Sequence, residues 1–338
     1  MTDQPFDTVS PALPQAPAAS GRAARQTGIW FMGLLAAAIW LAAGAYTGLV
    51  PDIDDFGFTR EFAYGLGAVG LLIALAALLV PAFGLARLRV WGPWLVALPL
   101  GFIAWQAVTA KLGLLPRPFF VPPQSLVEVY FEDWPKLGLS VVHSVKLLAW
   151  GYFIGAFTGI VLGVSIGWWR AVGYWAHPVL RFIGPLPATA WLPVAFFLFP
   201  SSWSASVFLI ALATGFPVTI LTWSGIASVN KDYYDIARTL GASQRFLVLK
   251  VAIPAALPHV FVGLFMGLGA SFAVLVVAEM LGVKAGLGWY LQWAQGWAAY
   301  ANMYAALLVM AVMCSGLVTL LFRVRDRLLA WQKELVRW

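Results

Sequence analysis

The chain has 338 residues, of which 62% are hydrophobic and only 10% are charged, and its formal net charge is +7. A soluble domain carries about 25% charged residues. The sequence therefore predicts an all-α polytopic membrane protein with no large soluble domain. Its single cysteine, Cys314, excludes intrachain disulfides and cysteine-based metal sites. The excess of Lys and Arg in such a chain records membrane topology rather than nucleic-acid binding.

Residues 1–27 are rich in proline, alanine and polar residues, which predicts a disordered tail. The apolar run that follows is long enough to remain as a membrane span. Eight spans are predicted along the chain. They cover about Gly28–Val50, Phe62–Pro81, Gly92–Thr109, Val142–Gly167, Phe182–Pro200, Trp203–Ala227, Pro258–Leu281 and Asn302–Phe322.

The distribution of basic residues predicts the orientation of these spans. With the N-terminus in the cytoplasm, most of the 21 lysines and arginines fall in inside segments. The acidic loop PDIDDF, which begins at Pro51, then lies outside. Both termini are predicted to be cytoplasmic, including a C-terminal tail over 323–338. The link Asn230–Pro258 is cytoplasmic as well.

The fourth predicted span contains a repeated glycine pattern. Small residues at a spacing of four let a neighbouring helix approach closely, so we interpret the pattern as a packing seam. Because an α-helix has 3.6 residues per turn, the stripe winds around the axis, and we expect more than one neighbour to use it. The glycines are Gly151, Gly155, Gly159, Gly163 and Gly167.

Two features are candidates for the transport pathway. The fifth span is interrupted by several prolines, so it must be kinked, and its freed carbonyls must find other partners. Broken spans often border a pathway, which singles out Pro187, Thr189 and Pro193. Glu279 is the one acid deep in an apolar run, near the outer end of the seventh span. It is either a gate or an interface residue hydrogen-bonded to a helix end.

Catalytic and nucleotide-binding motifs are missing from the sequence. No GxxxxGK[ST] run occurs, so the chain has no P-loop of its own, and no GxSxG or HExxH motif occurs either. The three histidines show no metal-ligand spacing. We therefore predict no catalytic residue, no metal site and no cofactor in this chain, and an energy source in another polypeptide if it transports a solute.

The cytoplasmic link is unusually long and has an internal pattern. Asn230 is a favourable N-cap, Gly241 is placed to end the first helix, and Ser243 can cap a second helix that Pro254 would break. The first helix carries apolar residues that a solvated connector does not need. Two interpretations remain open, namely an amphipathic helix lying on lipid and a helix that docks into a groove of a partner.

The run DIARTLGASQRFLVLKVAIP within this link resembles the EAA loop of ABC importer permeases. That pattern has an acidic residue and two alanines, a glycine after three further residues, and an aliphatic-X-aliphatic-Pro ending nine residues later. Asp235 stands here for the usual glutamate and Ile236 for the first alanine. The resemblance implies coupling helices that bind a cytoplasmic ATPase. It implicates Asp235, Ala237, Arg238, Gly241, Ala242, Arg245, Ile253 and Pro254.

Three further runs, HSVKLLAWGYFIGAFTGIVLGVSIGWWR, PVLRFIGPLPATAWLPVAFF and VVAEMLGVKAGLGWYL, are similar to the nitrate, sulfonate and taurine branch of these permeases. The similarity covers about Leu139 to Phe322 and extends more weakly back to Gly92. The resemblance implies a type I ABC importer transmembrane fold with a six-span core. It implies a permease domain over 91–322 with its coupling loop at 230–257. The spans within 28–90 are two additional N-terminal helices that the family does not explain.

The resemblance also implies function and partners. It implies an inner-membrane permease, active as a homodimer, that works with two ATPase subunits, which bind ATP and Mg, and with a periplasmic or lipid-anchored binding protein. The expected solute is small and anionic, such as a sulfonate, nitrate, a taurine-like compound or an aromatic acid. From the residues alone, an ion-coupled secondary transporter and a non-transporting scaffold or lipid-modifying enzyme stay open as alternatives.

Overall fold

A computed structural model describes residues 30–83 and 89–332. The predicted disordered tail 1–27 and the last residues, 333–338, lie outside this part. The regular elements in the described ranges are all helical, which confirms the predicted all-α class. They are α1 Phe31–Leu49, α2 Thr59–Phe83, α3 Gly92–Gln106, α4 Pro123–Glu132, α5 Trp134–Trp168, α6 Arg170–Ile183, α7 Leu192–Leu198, α8 Ser202–Ala227, α9 Lys231–Thr239, α10 Gln244–Phe246, α11 Ile253–Leu281, α12 Leu287–Gly296 and α13 Tyr300–Leu328.

Seven helical stretches of the described chain are long and apolar enough to cross a membrane, so the chain is a multi-pass membrane protein. Several predicted boundaries differ from the observed ones. Helix α5 begins at Trp134 rather than Val142, and α13 continues to Leu328, so part of the predicted C-terminal tail is helical. A search for apolar runs does not detect the full length of these helices, because polar residues lie near their ends.

The fifth predicted span, Phe182–Pro200, is wrong as a single kinked helix. The chain forms α6, a break, the 3-10 turn Ala188–Trp191 and then α7, and the two halves meet at an angle of 88°. Proline has no backbone N–H to donate and clashes with the preceding turn, so the closely spaced Pro185 and Pro187 end the helix. Helix α7 is too short to cross a bilayer, because about 20 residues are needed.

The described chain divides into two compact units. The first contains residues 30–47 and 63–103. In it Trp40 Nε1 donates a hydrogen bond to the Leu95 carbonyl over 2.8 Å, and the Trp40 and Phe102 rings meet edge to face. The third predicted span thus packs with the first two. The domain boundary predicted near residue 90 stays a prediction.

The second unit contains 48–62 and the chain from residue 104 onward. Its loop between α1 and α2 is fastened to the segment after α3 by ion pairs. Lys111 Nζ lies 2.8 Å from Asp52 Oδ1 and is almost fully buried, and it also donates to the Val50 carbonyl. Arg117 pairs with Asp54. The acidic loop singled out in the sequence is therefore part of the second unit.

Helix α8 packs against α5 along the glycine stripe. A Cβ on Gly155 would lie 2.4 Å from the Ala211 carbonyl oxygen, and one on Gly163 would lie 2.6 Å from that of Thr219. Gly151, Gly159 and Gly167 also face α8. One neighbour, α8, contacts all five glycines of the stripe among the described residues, and the use of the stripe by a further neighbour stays a prediction.

The other side of α8 packs on α11. Gly267 meets the Thr214 backbone, Gly263 meets Val218, and Gly225 on α8 leaves room for His259. The centre of α8 is accordingly buried on both sides, as its Leu209, Ile210 and Val218 show. Helices α5, α8 and α11 form the core of the second unit, and this core carries the candidate sites described next.

Candidate functional site

The link Asn230–Pro258 forms the predicted caps and turn. Asn230 Oδ1 accepts a hydrogen bond from the Asp232 N–H at 3.0 Å at the start of α9, and Ser243 Oγ accepts from the Phe246 N–H at 3.3 Å. Between them Gly241 has φ +81°, in the left-handed region that favours glycine. The Ala242 N–H donates to the Ala237 carbonyl at 3.0 Å, which closes the end of α9. Both caps and the turn are confirmed.

The predicted break at Pro254 is wrong. Helix α10 passes through a π turn, Leu247–Ala252, directly into α11, and Gln244–Leu281 is one continuous helical run. A proline cannot donate the hydrogen bond that an α-helix requires, and the wider i→i+5 turn just before Pro254 absorbs that missing donor. The turn at Gly241 therefore connects α9 directly to a spanning helix.

Helix α9 has two different faces. Tyr233, Ile236 and Leu240 follow one another at helical spacing and form an apolar stripe, 58%, 59% and 83% exposed. Lys231, at the start of the helix, lies on the opposite face. An exposed apolar stripe of this kind indicates a surface that another molecule covers.

Not all of the predicted coupling residues are found on one surface. Asp235 and Arg238 pair with each other at 3.2 Å on the face opposite the stripe. Ile253 lies in α11 and packs on the buried Val164–Ile226 cluster. Ile236 and Leu240 form the apolar face that their i, i+4 spacing predicts, and Tyr233, which the sequence analysis did not single out, extends this face. Ala237, Gly241, Ala242 and Arg245 lie around the turn, with Arg245 exposed, and Pro254 lies in the first turn of α11.

A groove of about 480 Å³ lies on the face of α9 opposite the apolar stripe. The ends of α5 and α8 and the start of α6 complete its walls. Polar and charged residues line much of it. The lining residues are Gly167, Trp168, Arg170, Ile226, Ala227, Val229, Lys231, Tyr234, Asp235, Arg238 and Gln244.

A second cavity, of about 590 Å³, lies beside the break between α6 and α7 and against α8 and α11. Pro187 and Thr189 line it, but Pro193 and Glu279 do not. Its walls are almost entirely apolar and contain no charged residue. The other lining residues are Ile183, Gly184, Leu186, Ala188, Leu212, Ala213, Phe216, Pro217, Ile220, Leu221, Met266, Ala270, Ala273 and Val274.

Glu279, in the last turn of α11, lies against the first turn of α12 and is 1% exposed. Its carboxylate accepts hydrogen bonds from Ser144 Oγ at 2.8 and 2.9 Å and from the Gly288 N–H at 2.8 Å. Ser144 Oγ in turn accepts from the Leu287 N–H at 2.8 Å. Two N–H groups of the first turn of α12 are thereby satisfied, and the negative charge lies at the positive end of the helix dipole.

This arrangement makes Glu279 a capping residue that joins α11, α5 and α12. A Cβ on Gly286, whose φ is +110°, would lie 2.3 Å from the carboxylate, so glycine is required for the approach. The geometry matches the helix-end interpretation of Glu279. Farther along α12 the Tyr290 hydroxyl donates to Asp133, and Asn302 contacts both groups, which fixes α12 to the start of α5 and to α13.

Glu279→Ala is expected to destabilise the second unit by about 2–4 kcal/mol, because the buried Gly288 N–H and the buried Ser144 hydroxyl both lose their acceptor. The measurement is the thermal unfolding midpoint of the purified chain in detergent. Thr319→Ala is the matched control, since Thr319 bonds only to a carbonyl of its own exposed helix turn. Equal midpoints for the two variants would contradict the capping role.

Comparison with known proteins gives a family match. The model of the family described as "Binding-protein-dependent transport system inner membrane component" matches residues 151–333, which include the glycine seam, both cavities and the link. The matched region contains α8, α9 and α11 in full and the second half of α5.

Individual relatives agree with this match. A nitrate import permease protein of Synechococcus elongatus is 31% identical over 262 residues, which are 74% of this chain and 91% of that protein. A bicarbonate transport system permease of the same organism is 33% identical over 58% of this chain and 67% of its own length. Among solved structures, the inward-facing MetNI methionine ABC transporter aligns with a TM-score of 0.45 and 15% identity, over 55% of this chain and 95% of that one.

Proposed function

The chain belongs to the family of binding-protein-dependent transport inner membrane components, and within that family of ABC importer permeases we propose that it forms the translocation path for a small anionic solute. ATP hydrolysis drives this path from separate ATPase subunits, and a periplasmic or lipid-anchored binding protein delivers the solute. The apolar stripe of α9 carries the proposal. Ile236 and Leu240 of this stripe lie within the EAA-like pattern, the stripe is more than half exposed, and the chain has no P-loop.

The mechanism follows from how α9 is attached. ATP can shift a conformational equilibrium only through contacts that differ between two states. ATPase subunits that move when ATP binds would pull α9 by its apolar stripe. The Gly241 turn then passes the displacement to Gln244–Leu281, a continuous helix that borders both α8 and the apolar cavity. The solute path and the energy input are in this way connected by one helix.

The apolar cavity is our choice for part of the solute path. A path that binds its solute weakly lets the solute leave again, which favours walls without fixed countercharges. Thr189 is the polar side chain of the lining that can orient a passing anion. Selectivity would then lie mainly with the binding protein. Sulfonates, nitrate, bicarbonate, taurine-like compounds and aromatic acids all fit these conditions, and the names of the relatives favour the small anions.

The assembly we propose has two copies of this chain and two ATPase subunits in a bacterial inner membrane, with membrane lipid around the spans. Both termini and the link 230–257 face the cytoplasm in this arrangement, because most lysines and arginines then lie inside. The chain itself has no catalytic role. ATP and Mg are bound by the partner ATPase.

The test is solute uptake into proteoliposomes that contain the chain, its ATPase and its binding protein. We expect uptake of nitrate or an organic sulfonate that requires ATP and is unchanged when ionophores collapse ion gradients. Gly241→Val should lower uptake at least about tenfold while membrane insertion is retained, because a β-branched residue is strained at φ +81°. Uptake that follows an ion gradient without ATP would favour a secondary transporter instead.

A further inference from the structure

The groove on the face of α9 opposite the apolar stripe is not explained by ATPase coupling. Lys231, Asp235 and Arg238 face this groove, and Ile236 and Leu240 point away from it. A partner that covers the apolar stripe therefore leaves the groove open to another ligand. The walls come from five helices, α5, α6, α8, α9 and α10, so a ligand there contacts α9 and the core of the second unit at once.

The charges of the groove favour an anion. Arg170 and Lys231 both line it, and neither has a carboxylate within 4.0 Å among the residues that the structure describes. Asp235 is the one acid of the lining, and it is engaged by Arg238 at 3.2 Å. The lining side chains include three cations and one anion, so the groove carries a net positive charge. Arginine and lysine in such a setting bind phosphate groups by charge-assisted hydrogen bonds.

Neutral donors complete the lining. The Tyr234 ring is held edge to face against Trp168 at 5.6 Å between ring centroids, so its position in the wall is fixed. Burial raises the pKa of the Tyr234 hydroxyl, which keeps it protonated and able to donate. The Gln244 amide at the start of α10 is a further donor. The groove offers guanidinium, ammonium, phenol and amide donors in one place.

We propose that this groove binds a phosphate group, and that the bound phosphate braces α9 against the ends of α5 and α8. The volume of about 480 Å³ exceeds what a bare phosphate fills, so a phosphate that carries an organic substituent also fits. The phosphate is either a free ion from the cytoplasm or the headgroup of an anionic lipid at the membrane surface. The binding itself is independent of the proposed function, whereas an effect of the brace on coupling rests on it.

The experiment measures binding to the full chain without an ATPase. In one arm, inorganic phosphate is titrated into the chain in an uncharged detergent and followed by calorimetry. In the other arm, the unfolding midpoint is compared between nanodiscs of phosphatidylcholine alone and nanodiscs that also contain phosphatidylglycerol. In the first arm, Arg170→Gln combined with Lys231→Gln should weaken phosphate binding at least about tenfold. In the second arm, phosphatidylglycerol should raise the unfolding midpoint of the unaltered chain by about 2–4 °C, and the double variant should lose this increase.

Arg181→Gln is the matched control, because Arg181 is an exposed arginine on the same helix as Arg170 and does not line the groove. It should leave both readouts unchanged. A response in detergent identifies a free phosphate ion, and a response in phosphatidylglycerol nanodiscs alone identifies the lipid headgroup. No response in either arm overturns the proposal. An equal loss in Arg181→Gln, or a response that appears only when an ATPase is added, overturns it as well.

Discussion

Gly155→Val is expected to abolish accumulation of the folded chain. A Cβ at residue 155 would lie 2.4 Å from the Ala211 carbonyl oxygen and 2.8 Å from Thr214 Cβ, both on α8. Backbone atoms cannot move aside as a flexible side chain does, so α5 and α8 would have to separate. Helix association in a membrane depends on close packing, and overpacking of this severity costs about 3 kcal/mol or more.

The measurement is the yield of monodisperse protein from membranes, together with its unfolding midpoint. Gly316→Val is the control, because a Cβ at Gly316 on α13 meets no atom within 4 Å. Both variants add the same apolar atoms to a spanning helix, so the difference isolates the α5–α8 contact. Normal yield from Gly155→Val would show that this contact does not hold the second unit together.

The double variant Ile236→Ser and Leu240→Ser is expected to lose its binding to the ATPase. Each side chain is more than half exposed in the free chain, and each would be buried when a partner covers the stripe. Burying an aliphatic side chain stabilises a complex by about 1.5–3 kcal/mol, so the double loss weakens binding by about a hundredfold or more. ATP-driven uptake should fall with it, while the free chain keeps its unfolding midpoint because neither residue packs in the core.

Affinity for the ATPase is measured with the chain in nanodiscs, by pull-down or light scattering. Leu328→Ser removes an aliphatic side chain of comparable exposure at the end of α13, away from the link, and should leave binding unchanged. If instead the double variant bound the ATPase normally but left the lipid surface, the lipid interpretation of α9 would replace the docking interpretation.

Much of the local structure is readable because it depends on neighbours in sequence. Asn230, Gly241 and Ser243 each act within a few residues of themselves, so capping and turn rules identified them correctly. The prolines after residue 184 likewise indicated a break in the fifth predicted span. They did not indicate the 88° angle between the two helical pieces, because such an angle depends on what each piece packs against.

The features that escaped prediction depend on distant contacts. Helix α12 was missed because its first turn is completed by Glu279 and Ser144, which lie on two other helices. Glu279 stood out in the sequence only as an acid near a span end, without its partners. The packing of the third span with the first two depends on the Trp40–Leu95 hydrogen bond across 55 positions of the chain. No local pattern carries such information.

We propose that an ATPase drives this permease through the apolar stripe of α9. The most direct measurement is cross-linking from single cysteines in a Cys314→Ser background, with the ATPase present and uptake still active. Leu240→Cys, on the stripe, should cross-link to the ATPase several times more efficiently than Lys231→Cys, on the opposite face of the same helix. Equal cross-linking from both positions, or labelling of lipid alone from residue 240, would contradict the claim.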